Sequence, residues 1–331
     1  MKRIILSAAI LTLITACAGI GGGGSAKVVE PTAITNAKTF TGQNTVLIGE
    51  FSVTFVTFDK TSATAKSSMF SSDTGYASSA IRAKLDGVPD EVMQSITDAA
   101  YKDFTTGLRA NGYTIGDDSA LTGNPTWQKI KYDDSPRKTT SSFKMVTGGS
   151  REDATFAPTG KKLISKNIGG MLPYQAYDAA GQLQVPIINA NYVVHFVYFG
   201  SETEYRSNAY SDIKGAEYSA EVSVGQGIQV VPGSGINWIR GVTSTFNDPN
   251  GQLLIQAPVV IPGAYGKSED STSGLQKAAN VFSSVLGAVS GGSSSAKDIN
   301  IMANPNEYKA KASAALTEAN KRLLGALAAA R

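Results

Sequence analysis

The chain has 331 residues, of which 17% are charged, and its formal net charge at pH 7 is +3. This length is sufficient for one large domain or two smaller ones, each with a hydrophobic core. The nearly balanced charge argues against nucleic-acid binding, which needs lysine and arginine clustered on one face. One cysteine and one histidine exclude intramolecular disulfides and zinc sites built from these two residue types.

The N-terminus has the pattern of a secretory signal peptide. Two basic residues precede the apolar stretch 4–14, which is too short to cross a bilayer because a spanning helix needs about 20 residues. The next residues complete the segment ITAC at 14–17, which resembles the lipobox of bacterial lipoproteins. The resemblance implies cleavage before Cys17 and attachment of acyl chains, such as palmitate, to this cysteine. The alternative is an ordinary signal peptide that happens to contain a cysteine.

A flexible spacer follows the predicted lipidation site. Residues 18–26 include five glycines, a composition typical of a tether between a membrane and a folded body. Two or more acyl chains hold a protein stably in a bilayer. By resemblance to the lipoprotein sorting rule, Ala18 favours the outer membrane, with the body in the periplasm or, alternatively, exposed at the surface. We therefore assign 1–16 to the signal peptide and 17–43 to the lipidated cysteine and tether.

The first half of the body has the pattern of an α/β unit. Residues 45–59 alternate apolar and polar side chains, which predicts a strand. Apolar residues spaced four apart predict a helix over 89–112, with Asp90 as its cap, and a short strand follows at 113–115. Between the first strand and the helix, the Ser/Thr/Ala-rich segment 60–87 indicates a loop or a hairpin tip.

Further strands are predicted in the second half, after a proline-rich and polar stretch at 122–170 that indicates loops and leaves open a short helix or strand near 127–132. The first of them is bulky on both faces around His195, which is typical of a central strand. Gly225-Gln226-Gly227 predicts a bulge or bend. The remaining strands are predicted at 217–231, 236–242 and 253–261.

The C-terminal region is predicted to be helical. One apolar stripe runs through 275–289 and another through 306–331. These two amphipathic helices are expected to pack on the protein's core or on a neighbouring subunit, and a membrane surface is the alternative. The predicted fold class is α/β (α+β): a mixed sheet with a helix packed after the first strand, long strands later and two C-terminal helices. The body is assigned to 44–265 and the helical segment to 266–331.

No pattern in the body predicts a catalytic residue, a cofactor site or a metal site. His195 lies within an apolar strand, so we expect a buried side chain with a hydrogen-bond partner. The acidic pairs Asp133/Asp134 and Glu202/Glu204 are expected on solvated loops. Aromatic side chains could line a ligand pocket or form core; the residues proposed for the pocket are Tyr192, Phe196 and Tyr198.

The body resembles the family of the curli-secretion lipoprotein and its relatives. The matching pieces are 46–58, 89–115 with the phrase NGYTI after the helix, 191–201 and 251–261. The resemblance implies a lipid-anchored envelope protein in which paired strands later in the chain form a pore or an oligomer interface. The long insertion at 122–170 departs from the family's pattern.

Three functions are compatible with these patterns. The first is a non-catalytic outer-membrane lipoprotein that supports envelope or surface-structure assembly or export, by oligomerisation or by binding other envelope proteins. The second is a lipoprotein that binds a small molecule, a glycan or a lipid. The third is a hydrolase that acts through carboxylates without histidine.

Overall fold

The computed structural model describes residues 30–66, 76–141, 151–167, 171–206, 217–244, 248–272 and 292–331. Within these ranges the chain forms one large mixed sheet with helices on both faces. The strands are β1 (Thr32–Thr35), β2 (Thr45–Lys66), β3 (Tyr76–Asp86), β4 (Thr114–Ile115), β5 (Tyr132–Asp133), β6 (Arg137–Ser141), β7 (Arg151–Phe156), β8 (Leu163–Ile164), β9 (Ile187–Arg206), β10 (Glu217–Val230), β11 (Gly235–Ile239), β12 (Gly251–Ile255), β13 (Val259–Pro262), β14 (Gly266–Asp270) and β15 (Gly292–Ala303). The helices are α1 (Asp90–Ala110), α2 (Ser119–Thr122), α3 (Tyr174–Leu183) and α4 (Pro305–Ala329), with short 3-10 helices at Ala37–Phe40 and Trp127–Lys129.

The centre of the sheet is the parallel pair β2 and β9. The strand order through this pair is β1-β12-β11-β9-β2-β3-β15-β14. Strand β10 pairs with β9 and β13, β4 and β7 pair with β2, and β6 pairs with β7. Strands β5 and β8 form a separate two-stranded sheet. These pairings confirm the predicted mixed α+β class.

One face of the sheet is covered by α1 and α4, which also pack on each other. In α1 the buried apolar residues recur at helical spacing. Two acidic residues occupy the first turn, where their negative charge stabilises the helix by interacting with the positive end of its dipole. Helix α4 begins with a capping interaction, because the Asn304 side chain accepts hydrogen bonds from the backbone N–H groups of Asn306 and Glu307. The large core lies between these helices and the sheet.

The other face carries a smaller hydrophobic cluster beneath α3 and the 3-10 helix that contains Trp127. Its residues from the large sheet include Leu47 of β2, Ile187 of β9 and Ile239 of β11. The two central strands are therefore buried on both faces, as the bulky sequence around His195 predicted for β9.

Two long antiparallel hairpins extend from the centre. The parallel pairing of β2 and β9 ends at Phe55 and Val194. From Phe58 onwards β2 pairs with β3, and β9 pairs with β10 out to Arg206. Strand β15 runs parallel to β3 along its whole length.

Several sequence assignments need correction. Residues 60–87, predicted as a loop or hairpin tip, include the outer end of β2 and all of β3. Small polar residues such as those at 61–65 form a strand when a neighbouring strand pairs with them. The assigned tether, 17–43, contains the ordered strand β1, which pairs with β12. The assigned helical segment, 266–331, contains the strands β14 and β15 as well as α4.

Smaller differences concern element boundaries. The predicted strand 253–261 divides into the end of β12 and most of β13, which pair with different partners. Asp90 lies in the first turn of α1 and the capping position is Pro89, which has no side-chain hydrogen bond. The predicted helix at 275–289 lies outside the described residues, whereas the helix predicted at 306–331 is confirmed as α4.

Candidate functional site

The three aromatic residues predicted to line a pocket occupy two environments. Tyr192 and Phe196 are fully buried in the large core, and Tyr198 is 37% exposed. Tyr192 donates a hydrogen bond of 2.6 Å to the side chain of Asn320 on α4. Tyr198 instead lies against Gly225 of the neighbouring strand. None of the three borders the cleft described below. The predicted lipidation site, Cys17, lies outside the described residues.

His195 has the buried position and the hydrogen-bond partner expected of it. Its side chain is only 7% exposed, and its Nε2 atom lies 2.7 Å from Oδ2 of Asp59. Asp59 belongs to β2 and His195 to β9; His195 directly follows the last ladder pair, Phe55 and Val194, and Asp59 lies further along β2. The pair therefore joins the two central strands where their hairpins separate.

The acidic pairs do not form a catalytic arrangement in the described residues. Asp133 forms an ion pair of 2.6 Å with Arg137, and this hydrogen-bonded interaction holds the pKa of Asp133 below its usual range although partial desolvation opposes it. The side chains of Glu202 and Glu204 lie outside the described part. Across that part, no group of three or more His, Cys, Asp or Glu residues is placed to hold a metal ion.

A bulge in β2 turns one carboxylate into the interior. The register of β2 against β9 shifts between Ile48 and Glu50. A Cβ atom on the intervening Gly49 would lie 2.7 Å from Oδ1 of Asn189 and 2.8 Å from the Trp127 ring, so a side chain would not fit there. The Glu50 side chain is 1% exposed and points into the smaller cluster, where its Oε2 accepts a hydrogen bond of 2.6 Å from the Ile164 N–H.

A buried polar cluster surrounds this carboxylate. Lys166 Nζ lies 3.3 Å from Glu50 Oε1 and donates a hydrogen bond of 2.8 Å to Oδ1 of Asn191. Ser52 Oγ lies 2.9 Å from the same Asn191 oxygen and 3.3 Å from Glu50 Oε1. The neighbouring Asn189 is fully buried, and neither polar atom of its side chain has a partner among the described residues. A buried ion pair contributes little net stability because desolvation offsets its attraction, so this cluster is not explained by stability alone.

The chemistry of the polar cluster is limited by its burial. A serine, a lysine and a carboxylate are groups that nucleophilic catalysis can use, provided that the nucleophile reaches a substrate. Ser52 is 2% exposed and its hydroxyl faces two acceptors of the cluster. In this arrangement the cluster holds β2, β9 and the segment after β8 together instead of presenting a nucleophile.

A cleft of about 290 Å³ opens beside the bulge. Along this edge of β2, β4 pairs only with Thr45 and Val46, and β7 pairs only from Val53 onwards. The cleft lies at the resulting gap between the two partner strands. It is lined by Ile48, Gly49, Glu50, Phe51, Tyr101, Asp118, Leu121, Thr122, Trp127, Tyr132, Gly160, Lys161 and Lys162.

The charged and phenolic groups of the cleft have defined partners. Lys161 forms an ion pair with Asp118. The Lys162 ammonium lies 5.8 Å from the centre of the Tyr132 ring. Partial burial raises the pKa of the Tyr101 and Tyr132 hydroxyls above the usual range, so both groups are protonated and can donate hydrogen bonds at neutral pH.

Sequence reasoning did not identify this cleft. Its residues come from β2, α1 and the segment that runs from Asp118 through α2 to β8. The sequence indicated most of this segment as loops, with a short helix or strand near 127–132. The inward orientation of Glu50 could not be predicted, because the bulge at Gly49 that reverses the alternation of the strand has no signal in the local sequence. The single hint is the clustering of Trp127, Tyr132 and two adjacent lysines in an otherwise polar region.

Comparisons with known proteins add no relative. The chain matches no protein-family model, no curated protein and no solved structure. Within the described ranges, no helix is both long enough and apolar enough to cross a membrane.

Proposed function

We propose that this protein is an outer-membrane lipoprotein, anchored through Cys17, that supports envelope or surface-structure assembly or export without catalysing a reaction. It acts by forming an oligomer or by binding other envelope proteins. The signal-peptide and lipobox patterns support the localisation and the lipid anchor. The resemblance to the curli-secretion lipoprotein family supports the role in assembly or export.

Unpaired strand edges are the observation that carries the proposal. On one side, 60–66 of β2 and 198–206 of β9 pair with no further described strand. The same holds for 217–225 of β10 and 292–297 of β15. An exposed strand edge presents free N–H and C=O groups that pair readily with another chain, and proteins normally cover or shorten such edges. Four long edges in one protomer favour partners that pair with them.

The composition of these arms favours recognition through the main chain. The outer part of β2 reads TSATAK and the first residues of β15 read GSSSA. Small polar side chains provide little apolar surface for association, so main-chain hydrogen bonds must provide most of the affinity. We therefore expect the partners to be extended strands, and a second copy of this chain supplies such strands.

Size and mass analysis of the particle extracted from membranes in detergent tests the proposal. The wild type should form a discrete particle of several subunits, or a complex with an envelope protein. Cys17→Ala should be released from the membrane fraction. A wild-type protein that is strictly monomeric and without partners would refute the assembly role, and membrane retention of Cys17→Ala equal to wild type would refute the lipid anchor.

Proline substitutions in β10 test the edge directly. The backbone N–H groups of neighbouring strand residues point to opposite edges of the strand. Of the two variants Ser223→Pro and Val224→Pro, one therefore removes an N–H from the unpaired edge, and the other removes an N–H that bonds to β9. We expect one variant to keep wild-type thermal stability but lose subunits, and the other to lose stability. Ser223→Ala and Val224→Ala, which keep the N–H, are the matched controls. An unchanged particle mass in both proline variants contradicts association through this edge.

The cleft supports a second candidate function, that of a ligand-binding lipoprotein. It combines apolar walls with a few polar groups, which is the usual composition of a small-molecule site. The two functions are compatible, because the cleft borders β2 before its hairpin begins.

A further inference from the structure

The charges around the cleft do not cancel completely. Glu50 is compensated by Lys166, and Asp118 is compensated by Lys161. Lys162 has no carboxylate within ion-pair distance among the described residues, and its ammonium lies over the face of the Tyr132 ring. One positive charge at the mouth of the cleft therefore has no counter-ion from the described chain.

The walls provide flat apolar surface next to that charge. Trp127 and Phe51 are almost fully buried and close the inner end, whereas Tyr132 is 39% exposed at the outer end. The Tyr101 hydroxyl adds a neutral donor on the α1 side. Aromatic walls favour a planar ligand that stacks against them, and a nearby ammonium favours an anionic group on it.

We propose that this cleft is a binding site for a small planar monocarboxylate, whose ring lies among Tyr101, Trp127 and Tyr132 and whose carboxylate pairs with Lys162. The site is independent of the proposed assembly role. Its volume of about 290 Å³ accommodates a single aromatic ring with its carboxylate and one further small substituent. A ligand of this size is expected to bind with a Kd of about 1 mM or somewhat lower.

The test compares two probes that differ only in charge. 4-(Trifluoromethyl)benzoate and 4-(trifluoromethyl)benzamide have the same ring, and only the first is anionic. Fluorine NMR of each probe, titrated with the full-length protein, measures its Kd. The benzoate should bind to one site at least fivefold more tightly than the benzamide. Equal affinity for the two probes, or no saturable binding of the benzoate, overturns the proposal.

Two variants locate the binding. Lys162→Gln removes the unpaired charge from an exposed position, so it should weaken the benzoate at least fivefold and leave the benzamide unchanged. Thr122→Trp fills the cleft from an exposed lining residue and should abolish binding of both probes. Lys129→Gln, an exposed lysine outside the lining, is the control and should change neither affinity. Wild-type affinity in Lys162→Gln shows that the carboxylate binds elsewhere and refutes the site.

The same titrations remain informative if the assembly proposal fails. Particle mass reports on the strand edges, and probe binding reports on the cleft. A monomeric protein that binds the benzoate through Lys162 would refute the assembly role alone, and an oligomer that binds neither probe would refute the cleft alone.

Discussion

A single buried asparagine, Asn320, connects three elements inside the large core. Its Oδ1 accepts the hydrogen bond from Tyr192 of β9. Its Nδ2 donates to the backbone oxygen of Ala100 at 3.1 Å and to Oδ2 of Asp103 at 2.8 Å, both on α1. Because Asn320 itself lies on α4, this side chain sets the position of two helices relative to the central sheet.

Replacing this residue should therefore be costly. Asn320→Ala removes three hydrogen bonds and leaves the fully buried Tyr192 hydroxyl without a partner, so the free energy of unfolding should fall by about 2–4 kcal/mol. Urea denaturation followed by circular dichroism measures the change.

The matched control removes the other partner. Tyr192→Phe eliminates the hydroxyl itself and should lower the free energy of unfolding by only about 1 kcal/mol. In the double variant Asn320→Ala, Tyr192→Phe, the two losses should not add, since no unpaired hydroxyl remains. Full additivity would show that the Tyr192–Asn320 bond does not couple these residues.

Among the elements, the hairpin of β9 and β10 contains a bulge whose two glycines, Gly225 and Gly227, lie against different neighbours. The register shifts between Gln226 and Gln229, as the glycines at 225 and 227 predicted. A Cβ atom on Gly225 would lie 1.8 Å from the Tyr198 ring, whereas one on Gly227 would lie 2.9 Å from the backbone oxygen of Ile261. The first obstacle is a partly exposed side chain that can move, and the second is the main chain of β13.

This difference predicts two outcomes. Gly227→Ala should lower the free energy of unfolding by about 1–3 kcal/mol, and adding Tyr198→Ala should not restore it because the backbone contact remains. Gly225→Ala should lose stability only while Tyr198 is present. Thermal unfolding of the three single and two double variants checks the prediction; rescue of Gly227→Ala by Tyr198→Ala would mean that the ring is the obstacle at both positions.

The elements with strong local signals were predicted correctly. Strand β2 to Asp59, helix α1 and strand β9 have apolar residues at the spacing of their structures, and the core lies where that spacing puts it. The outer end of β2 and the first residues of β3 and β15 have no such signal, since small polar residues become strands only through pairing. The later part of β3 does alternate, with Ile81, Ala83 and Leu85 buried, and this local signal was missed. The same reason explains β1, whose four residues depend on β12.

The candidate site was less predictable than the fold. Glu50 faces the interior because a one-residue bulge inverts the phase of the strand. Lys162 lies far from Glu50 in sequence. The segment between β7 and β8 brings it to the cleft, and no local pattern predicts the path of that segment. Conversely, Tyr192 and Phe196 have the composition of a pocket but are buried, because aromatic residues fill cores as readily as they line sites.

For the whole molecule, three buried tyrosines couple stability to alkaline pH. Burial raises the pKa of Tyr192, Tyr265 and Tyr308 well above the usual value of about 10. The unfolded chain loses these protons near pH 10, whereas the folded protein retains them. Their contribution to stability is therefore complete below about pH 10 and declines as the pH rises towards the folded-state values.

Tyr308→Phe isolates one of these groups. The Tyr308 hydroxyl has no hydrogen-bond partner among the described residues, so the substitution should leave stability near neutral pH unchanged or slightly higher. Above about pH 10 the slope of unfolding free energy against pH should become shallower than in wild type by up to about 1.4 kcal/mol per pH unit. Urea denaturation at a series of pH values provides both slopes, and identical slopes would contradict the buried, protonated state of this phenol.

The parallel alignment of β2 and β9 has a mechanical consequence. Both strands leave the core in the same direction and continue without interruption into their hairpins. If the body is held and one hairpin is drawn outward along its strands, the tension loads many interstrand hydrogen bonds of the central strand simultaneously, in shear, instead of opening them one at a time. Neither hairpin could then be drawn outward without sliding the central strand past its neighbours, so the rate of forced unfolding would be set by the strength of the sheet's centre. The hairpins can therefore bear load from whatever they contact and transmit it to the most deeply buried part of the molecule.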